Sequence, residues 1–455
     1  MYVVRIITIL LSIGFMSMTS EFAAARKNNE FASARKNNVS AAFASSSAPD
    51  DSVVATLPQA REVETPRFAV ISDTHFENNV GEGAAVKVPR TLKNLLFKQP
   101  LPDAVFVVGD LTNRGKREQY EQLLDVFGDS TNVPKSVAVY FMMGYQHDKS
   151  ETNGPEVYLE TVGQPLHQYI EIKGYPFITI SEGGRRETPH NLEARRFLDE
   201  KMTFAAAKFP GKPIFVFMHI PPLNTCYGSG QNEGWGTDFF LPVLERYPQA
   251  IVFSGHSHFP LGDPRSIHQG AFTAVNDGSV SCSEVEPNAV DAGVNPENYE
   301  NVTEGVIVSV MKNGDVEIER RDTYRDEEIH PCWTVEAPHD GSRFAYKNRN
   351  GLPAPVFAEG ARPAVAATGN GELLVVFPQA RDNEAVHHYI VELLEGKRTI
   401  AARRIFSQFY LNSAAPKELS AKFTEVPPRA RLTVRVTAAD SYGNLSAPAV
   451  TDYEQ

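Results

Sequence analysis

The stretch VFSGHSHF, Val252–Phe259, holds an apolar run that ends at Gly255 and is followed by two histidines. The run has the length and composition of a strand that is covered on both faces. His256 and His258 follow it at the i, i+2 spacing, which on an extended segment turns both imidazoles to one side. Two histidines that close on a buried strand end cost solvation free energy unless something pairs them. The stretch therefore predicts a buried strand whose end carries two candidate metal ligands.

Four other apolar runs also end in polar residues of the kinds that bind metal ions. These residues are Asp73 and His75 in ISDTHF, Asp110 and Asn113 in VVGDLTNRG, Gln146, His147 and Asp148 in GYQHD, and His219 in VFMHIPP. Because strand ends in open α/β sheets converge on a crevice at one edge, we expect them to share a pocket with the two histidines. Imidazole and carboxylate ligands together suit Zn, Fe or Mn better than Ca or Mg. Asp110, at the end of a central strand, has two carboxylate oxygens with which to bridge two ions.

Between Arg67 and about Asp322, strand-like and helix-like segments alternate. Runs such as DAVFVVG, PIFVFMH and AIVFSG are continuously apolar, which is typical of strands covered on both faces. KREQYEQLLDVFG and NLEARRFLDEKMTFAAAKF have helical spacing, and a helix is also expected in DFFLPVLERYP. GVIVSVM and VEIERRD flank the turn Lys312–Asp315, as in a hairpin. The pattern predicts a layered α/β domain.

The pattern changes after a transitional stretch from Glu327 to about Gly351. ELLVVFPQA, HHYIVELL, RRIFSQFY, AKFTEV and RLTVRVTAADSYGNLSAP are short strands separated by turn signals, with no helical spacing between them. They predict an all-β sandwich of the immunoglobulin type, with about 100 residues. The VHHYIVEL strand and the last hairpin resemble a fibronectin type III module.

The first residues have the pattern of an export signal. Arg5 precedes the apolar run Ile6–Met16, and small residues follow, with Ala23–Ala25 or Ser20 as the cleavage point. The run is too short to span a bilayer, and the alternatives are an uncleaved anchor or a buried N-terminal strand. EFAAARKNN then repeats as EFASARKNN before an Ala/Ser-rich stretch that has too few apolar residues for a core. We therefore expect an exported protein, periplasmic, secreted or cell-surface, without a stable membrane span after signal cleavage.

These patterns divide the chain into five parts. The predicted parts are a signal peptide at 1–25, a disordered leader with the tandem repeat at 26–60, the α/β domain at 61–330, a linker at 331–350 and the β-sandwich at 351–455. The net charge of −12 argues against nucleic-acid polymers as partners, because such a chain lacks the cations that displace counterions from a phosphate backbone. The three widely spaced cysteines do not form a disulfide framework, and at most one pair is expected.

The five motifs occur in the order Asp-x-His, Gly-Asp-x-x-Asn-x-Gly, His-Asp, a lone His and Gly-His-x-His. This order resembles that of the calcineurin-like metallophosphoesterase family, over Arg67 to about Asp322. The resemblance implies a four-layer sandwich in which two mixed sheets are flanked by helices. It also implies a hydrolase in which two divalent ions, Mn, Fe or Zn, clamp a phosphate and acidify a water for in-line attack.

The resemblance also implies roles for individual residues. The first ion would be held by Asp73, His75, Asp110 and His258. The second would be held by Asp110, His219, His256 and Gln146, the residue before His147. In this family pattern His147 protonates the leaving oxygen or steadies the phosphate, and Asn113 stands near it. Arg114 occupies a place where some members bind the phosphate, and a surface arginine is the alternative.

The turn before His147 departs from the family pattern. The family has Gly-Asn-His-Asp or Gly-Asn-His-Glu there, whereas this chain has GYQHD from Gly144 to Asp148. Gln146 has the same amide oxygen as Asn on a stem that is one methylene longer. It either still binds the second ion, if the backbone steps back, or misses that ion and leaves it weakly held or absent.

The sequence thus predicts an exported metallophosphoesterase that hydrolyses small phosphomonoesters or phosphodiesters. The alternative is a non-catalytic protein with a weakened second metal site, whose sandwich binds a surface glycan or protein. The Gly-rich segment IPPLNTCYGSGQNEGWGTD, which follows His219, contains Tyr227 and Trp235. These rings either stack on the organic group of a substrate or pack on the domain.

Overall fold

The computed structural model of the chain describes residues 65–454 apart from residues 78–80, 145–146, 150–152, 288, 291–292, 348, 350, 370 and 427–430. These residues fall within one compact unit, Glu62–Gln455. The predicted signal peptide, the leader and Gln146 lie outside the described residues, so the structure does not test what was predicted for them. All three cysteines are described, and none of them forms a disulfide.

The described residues contain five α-helices and two groups of strands. The helices are α1 (Ala84–Leu96), α2 (Arg117–Gly128), α3 (Gly154–Thr161), α4 (Pro189–Lys208) and α5 (Leu241–Leu244). The first group of strands comprises β1 (Arg67–Ile71), β2 (Ala104–Val108), β3 (Ala138–Met142), β4 (His167–Ile172), β5 (Tyr175–Ile180), β6 (Ile214–Met218), β7 (Ala250–Ser254), β8 (Ile267–Gln269), β9 (Thr273–Asn276), β10 (Glu304–Val310), β11 (Val316–Asp322) and β12 (Glu327–Val335). The second group comprises β13 (Ala364–Gly369), β14 (Glu372–Pro378), β15 (Val386–Glu395), β16 (Arg398–Phe406), β17 (Glu418–Phe423), β18 (Arg431–Asp440) and β19 (Ala449–Glu454). None of the helices in this described part of the chain is both long enough and apolar enough to cross a membrane.

The first twelve strands form two mixed six-stranded sheets that face each other. The first sheet has the order β12-β11-β10-β1-β2-β3, with parallel pairing among β1, β2 and β3 only. The second has the order β4-β5-β6-β7-β9-β8, parallel from β5 to β9 and antiparallel at both edges. Helices α1 to α3 cover the outer face of the first sheet, and α4 and α5 cover that of the second. The predicted four-layer arrangement is confirmed.

The core between the two sheets is rich in phenylalanine. The rings of Phe106 and Phe217 stack with centroids 4.0 Å apart, and Phe68 meets Phe215 edge-on at 4.9 Å. Aromatic pairs in such geometries contribute about 0.5–1.5 kcal/mol beyond their buried area. Strands β2, β6 and β7 bury every residue, which explains their continuously apolar sequences. The ends of these strands are therefore held on a firmly packed support.

The second group of strands forms the predicted all-β sandwich. Strands β13-β14-β17 make a three-stranded antiparallel sheet and β16-β15-β18-β19 a four-stranded one. The sandwich packs on the first domain through an apolar cluster that joins Phe406 and Tyr410 to Val285 and Val302. The Tyr410 hydroxyl also donates a hydrogen bond of 2.6 Å to the backbone carbonyl of Glu297. The sandwich is therefore a packing partner of the first domain.

The first sheet extends further along the chain than the sequence indicated. Strand β12 continues to Val335, inside the segment 331–350 that was predicted as a linker. Pro331 lies within this strand, where proline is tolerated because β12 is an edge strand. Trp333 anchors the strand: its side chain is buried in the core, and Cζ of Arg320 lies 4.2 Å from its ring centroid.

The segment DFFLPVLERYP forms less helix than predicted. Only Leu241–Leu244 is helical. Pro242 is tolerated only in the first turn of a helix, and Pro248 limits the helix on its other side. The prediction of a longer helix from the apolar spacing of this segment was wrong.

Candidate metal centre

The candidate ligands lie where strands of both facing sheets end. Strands β1 and β2 of the first sheet lead into Asp73, His75 and Asp110, and strands β6 and β7 of the second lead into His219, His256 and His258. All six side chains are buried or nearly so. The two sheets thus supply ligands to one site from both sides.

The backbone is left-handed at five of these positions. The φ angle is 55° at Asp73, 45° at His75, 45° at Asp110, 69° at His256 and 57° at His258. Residues other than glycine adopt positive φ rarely, and such strain clusters at functional sites. The two i, i+2 pairs are therefore not on extended segments, so the geometry assumed from the sequence was wrong. Left-handed residues at alternate positions turn both side chains of each pair inwards instead.

Asp73, His75 and His258 form a first cluster, in which one ligand atom from each lies within 4.8 Å of the others. Oδ1 of Asp73 lies 3.1 Å from Nε2 of His258 and 3.7 Å from Nε2 of His75. The two Nε2 atoms are 3.2 Å apart. One carboxylate and two imidazoles that face one point are a ligand set that suits Zn, Fe or Mn.

Asp110, His219 and His256 form a second cluster with the same spacing. Nε2 of His219 lies 3.2 Å from Oδ2 of Asp110. Nδ1 of His219 donates to the backbone carbonyl of Val108 at 2.9 Å, so the lone pair of the neutral ring is on Nε2. Although Oδ2 of Asp110 is near, this buried Nε2 makes no hydrogen bond to the described residues. Its environment is therefore costly unless a proton shared with the carboxylates, a cation or a water pairs it. The residues present therefore fit a bound metal ion.

Asp110 links the two clusters. Its Oδ2 also lies 4.0 Å from Nε2 of His75 and 3.9 Å from Nε2 of His147, and these three residues form a third group of ligand atoms. A single carboxylate that faces both clusters is suited to bridge two ions. Gly144 makes room for it, because a Cβ at that position would overlap the backbone N and the Oδ1 atom of Asp110.

Ser72 and Asp277 hold the carboxylate of Asp73 in place. Oγ of Ser72 lies 2.5 Å from Oδ2 of Asp73 and 2.5 Å from Oδ1 of Asp277. A hydroxyl has one proton, so Ser72 donates to only one of the two carboxyls. If Ser72 donates to Asp73, a proton on Oδ1 of Asp277 makes the other hydrogen bond, to Oγ of Ser72. Burial raises the pKa of Asp277 well above its usual range, in agreement with a protonated acid. The backbone N–H of His256 donates to the same Oδ2 of Asp73 at 3.0 Å.

The electrostatics of the two clusters favour bound positive charge. Burial alone would raise the pKa of both Asp73 and Asp110. His258 and His219 nevertheless hold the pKa of Asp73 below its usual range. His219 does the same for the pKa of Asp110. Burial alone would lower the pKa of His219, yet Asp110 and Asp73 raise it to about 10. Burial and His219 lower the pKa of His256 to about 3. Two ionised carboxylates thus lie among neutral and protonated imidazoles, where either protons or metal ions supply the counter-charge.

His147 lies at the rim of the clusters, with 34% of its side chain exposed. Its ring meets that of His75 edge-on, with centroids 4.4 Å apart. Nδ1 of His147 lies 3.1 Å from the backbone carbonyl of Asn113. A carbonyl only accepts, so Nδ1 donates, and Nε2 is the atom on the side of Asp110. The family resemblance placed Asn113 near this histidine, and the contact is made by its main chain.

Asp148 fixes the turn of His147 to the loop of Asp110. Its buried carboxylate accepts hydrogen bonds of 2.7–2.9 Å from the backbone N–H groups of Leu111, Thr112 and Gly144 and from the Thr112 hydroxyl. Burial and the nearby Asp110 raise the pKa of Asp148 to about 6, although its backbone donors oppose the rise. These bonds set the distance between His147 and the clusters.

Besides Asn113, two predicted site residues are not placed in the clusters. Gln146 lies outside the described residues, so its role as a ligand of the second ion stays a prediction. Arg114 is exposed, and its backbone N–H donates to Oε1 of Gln119 at 2.9 Å. Its role on the phosphate also stays a prediction.

The two aromatic residues of the Gly-rich segment have different environments. Tyr227 is buried, its hydroxyl donates to Glu286, and Cζ of Arg265 lies 3.9 Å from its ring. Trp235 is half-buried, and its ring meets that of His256 edge-on at 5.1 Å. Tyr227 therefore packs on the domain, and Trp235 is the aromatic residue of this segment that lies beside a cluster.

Comparison with known families agrees with this geometry. Residues 66–260 match the calcineurin-like phosphoesterase family, and this range contains every residue of both clusters. The chain contains a calcineurin-like phosphoesterase domain. The phosphoesterase domain is that of a metal-dependent phosphoester hydrolase, as the sequence predicted.

Individual relatives match part of the chain. It is 26% identical over 202 residues to the probable glycerophosphodiester phosphodiesterase GpdQ of Arcobacter nitrofigilis, over 41% of this chain and 70% of the relative. It is 26% identical over 218 residues to the glycerophosphodiester phosphodiesterase GpdQ of Enterobacter lignolyticus, over 42% of this chain and 70% of the relative. A purple acid phosphatase, PPD1, from yellow lupin (Lupinus luteus) seeds aligns over 60% of this chain and 54% of its own, with a TM-score of 0.43 and 13% identity.

Three residues near the clusters were not found from the sequence. Asp277 follows the buried strand β9, and this position was a usable signal because the ligands follow their own strands in the same way. Cys282 lies with Sγ 3.4 Å from Nδ1 of His258. Arg185 lies with NH2 3.1 Å from Nε2 of His256. The last two come from loops in which no pattern marks them.

Proposed function

We propose that the phosphoesterase domain hydrolyses small phosphodiesters with the help of two divalent metal ions. The observation that carries the proposal is the pair of clusters that Asp110 links, with its Oδ2 facing His219 of one and His75 of the other. Two adjacent ions clamp both the attacking and the leaving oxygen of a phosphoester. The names of the two GpdQ relatives favour diesters over monoesters. In the reaction one water adds to phosphorus and one ester P–O bond breaks. The products are a phosphomonoester and an alcohol.

The proposed ligand sets follow from the two clusters. We assign the first ion to Asp73, His75, Asp110 and His258. We assign the second to Asp110, His219, His256 and, on the family resemblance, Gln146. Mn, Fe and Zn all suit this mixture of imidazole and carboxylate. When bound, the ions act as Lewis acids on the phosphate and lower the pKa of water.

We assign His147 the role of supplying the proton that the leaving alcohol needs. Its Nδ1 is held by the carbonyl of Asn113, so transfer takes place at Nε2. Partial exposure of the side chain lets it exchange protons with solvent between turnovers. General acid catalysis of this kind contributes about 10²–10⁴-fold to the rate.

A second candidate function is that of a non-catalytic protein that holds only the first ion. Two observations favour it. Gln146 stands where the family has Asn, and Arg185 donates a hydrogen bond to His256 of the second cluster. One tightly bound ion without turnover would support this candidate.

Hydrolysis assays separate the two candidates. The substrates are a bis-aryl phosphate, an aryl phosphomonoester and a glycerophosphodiester, each with Mn, Fe, Zn or a chelator. We expect metal-dependent turnover that is faster with diesters. In His147→Ala the rate should fall most with the glycerophosphodiester, whose leaving alkoxide needs a proton. His330→Ala is the matched control, since the His330 side chain in β12 is 74% exposed, and it should retain wild-type rates. Folded protein without turnover in any metal would reject the proposal and leave the second candidate.

We further propose that the protein is exported and that its sandwich is a fibronectin type III-like module. The basic, apolar and small residues of 1–25 support export, and N-terminal sequencing of protein recovered outside the cytoplasm would test it. Seven strands in three- and four-stranded antiparallel sheets support the module. Binding of a surface glycan or protein by this module stays a prediction.

A further inference from the structure

Arg185 lies beside the second cluster, in the loop that joins β5 to α4. Its NH2 atom is 3.1 Å from Nε2 of His256, and its NH1 atom donates to the backbone carbonyl of Gly234. Thr237 also contacts this loop, with Oγ1 3.5 Å from the backbone carbonyl of Arg185. The guanidinium therefore spans the gap between the Gly-rich segment and His256.

Trp235 supports the same guanidinium. Its ring centroid lies 5.6 Å from Cζ of Arg185, and its ring meets His256 edge-on. Arg185 and Trp235 are half-buried, whereas His219 of the same cluster is fully buried. Arg185 and Trp235 thus form the solvent side of the second cluster.

Arg185 and a metal ion compete for His256. A guanidinium only donates hydrogen bonds, so Nε2 of His256 is the acceptor and gives Arg185 the single lone pair of a neutral imidazole. The ring then carries a proton on Nδ1 and has no second lone pair for a metal ion. The second ion can therefore bind His256 only after Arg185 has left Nε2.

We propose that Arg185 binds a non-bridging phosphate oxygen of the substrate once the second ion has displaced it from His256. This inference deepens the proposed function and rests on it. The planar fork of a guanidinium matches a pair of phosphate oxygens, and the bond of NH1 to Gly234 keeps the displaced side chain near the cluster. Trp235 then flanks the organic group of the ester, since a half-buried ring suits apolar contact and stacking.

Charge explains why a cation is useful at this place. The ionised carboxylates of Asp73 and Asp110 repel an anionic phosphate across a short distance. Bound ions offset this repulsion, and Arg185 adds a further positive charge on the solvent side of the second cluster. Because it acts on the phosphate itself, Arg185 should bind inorganic phosphate as well as an ester, and its loss should raise KM more than it lowers kcat.

Inorganic phosphate is the probe for the first test, with its Kd measured by isothermal titration calorimetry on the metal-loaded full chain. Arg185→Ala is expected to weaken binding about 10- to 100-fold, the contribution of a charged hydrogen bond, and Arg185→Lys to recover part of the loss. Arg186→Ala is the matched control, because Arg186 is the next residue and is exposed, and it should bind phosphate as the wild type does. Equal Kd values for Arg185→Ala and Arg186→Ala would overturn the assignment, as would a wild-type protein that binds no phosphate.

A titration with Mn²⁺ alone tests the competition without any ester. Alanine leaves the lone pair of His256 free, so Arg185→Ala is expected to bind the second ion about 10- to 100-fold more tightly, the contribution of a charge-assisted hydrogen bond. Binding of the first ion should not change. Identical affinities for the second ion in Arg185→Ala and the wild type would contradict the competition.

The phosphate titration and the ester hydrolysis assays together separate this inference from the proposed function. If the wild type hydrolyses no ester but Arg185→Ala still loses phosphate affinity, the proposed function fails and the phosphate site stands. If the wild type hydrolyses diesters and Arg185→Ala has an unchanged KM, the proposed function stands and the role of Arg185 is wrong.

Discussion

Nε2 of His219 lies 3.2 Å from Oδ2 of Asp110, a contact that joins the two facing sheets. Asp110 follows β2 of the first sheet, and His219 follows β6 of the second. The contact therefore depends on the phenylalanine-rich core, which fixes the position of one sheet on the other. The same Oδ2 faces His75 of the first cluster at 4.0 Å, so this one carboxylate faces both clusters.

Removal of Asp110 should therefore remove both metal ions, whereas removal of His256 should remove only the second. We expect Asp110→Ala to bind less than one Mn²⁺ per chain after desalting and His256→Ala to retain one, as measured by elemental analysis. Asp125→Ala, which removes an exposed carboxylate from α2, should retain the wild-type metal content. If Asp110→Ala kept one ion tightly, the bridging role of this carboxylate would be wrong.

The role of His147 can be tested by changing the leaving group. An alkoxide needs a proton as it leaves, whereas a nitrophenolate does not. His147→Ala should therefore slow the hydrolysis of an alkyl diester about 10²–10⁴-fold. Hydrolysis of a nitrophenyl diester should slow much less. Metal content should not change. Equal losses with both leaving groups would show that His147 steadies the phosphate instead of donating the proton.

The fold and the position of the site could be predicted from the sequence because both depend on strong, local patterns. Strands buried on both faces need continuously apolar runs, and the residues that end such runs meet at one edge of the sheets. Asp73, Asp110 and His219 all follow this rule. Strand β12 was not predicted, because it contains Pro331, and proline is typical of a loop. The proline is tolerated only because β12 lies at the edge of the sheet.

The remaining features of the site depend on contacts between segments that are distant in the chain. Arg185 meets His256 across 71 residues, and Ser72 meets Asp277 across 205. No short motif encodes such pairs. The burial of Tyr227 under Arg265 is of the same kind, which is why the sequence left its stacking role open.

Gly144 should be essential to the site for a steric reason. A Cβ there would overlap Asp110, so we expect Gly144→Ala to lower metal content and to destabilise the protein by about 1–3 kcal/mol. Gly128→Ala is the matched control, because Gly128 ends α2 and a Cβ there would meet nothing within 4 Å. That variant should be neutral or slightly stabilising in a thermal melt. Gly144→Ala with wild-type metal content would show that Asp110 can move without loss of the site.

Glu304 is a buried acid at the start of β10, outside both clusters. Its Oε2 accepts a hydrogen bond of 2.8 Å from the backbone N–H of Leu261, and its Oε1 has no partner among the described residues. Burial raises the pKa of Glu304 from 4.5 to about 8, and the nearby Asp322 adds to the rise. Between about pH 4.5 and about pH 8, Glu304 therefore holds a proton in the folded chain that it has already released in the unfolded chain.

The stability contributed by this proton is present at acid pH and is lost as the pH rises through about 8. Glutamine is neutral at every pH and retains an oxygen for the backbone N–H of Leu261. Between about pH 5 and about pH 9 the free energy of unfolding should therefore fall less in Glu304→Gln than in the wild type, and the two decreases should differ by about 1 kcal/mol or more. Thermal melts across this range measure the difference. Glu118→Gln, which changes an exposed residue of α2, should follow the wild-type curve. Parallel curves for Glu304→Gln and the wild type would mean that Glu304 is ionised in the folded protein and that its neighbours supply the missing counter-charge.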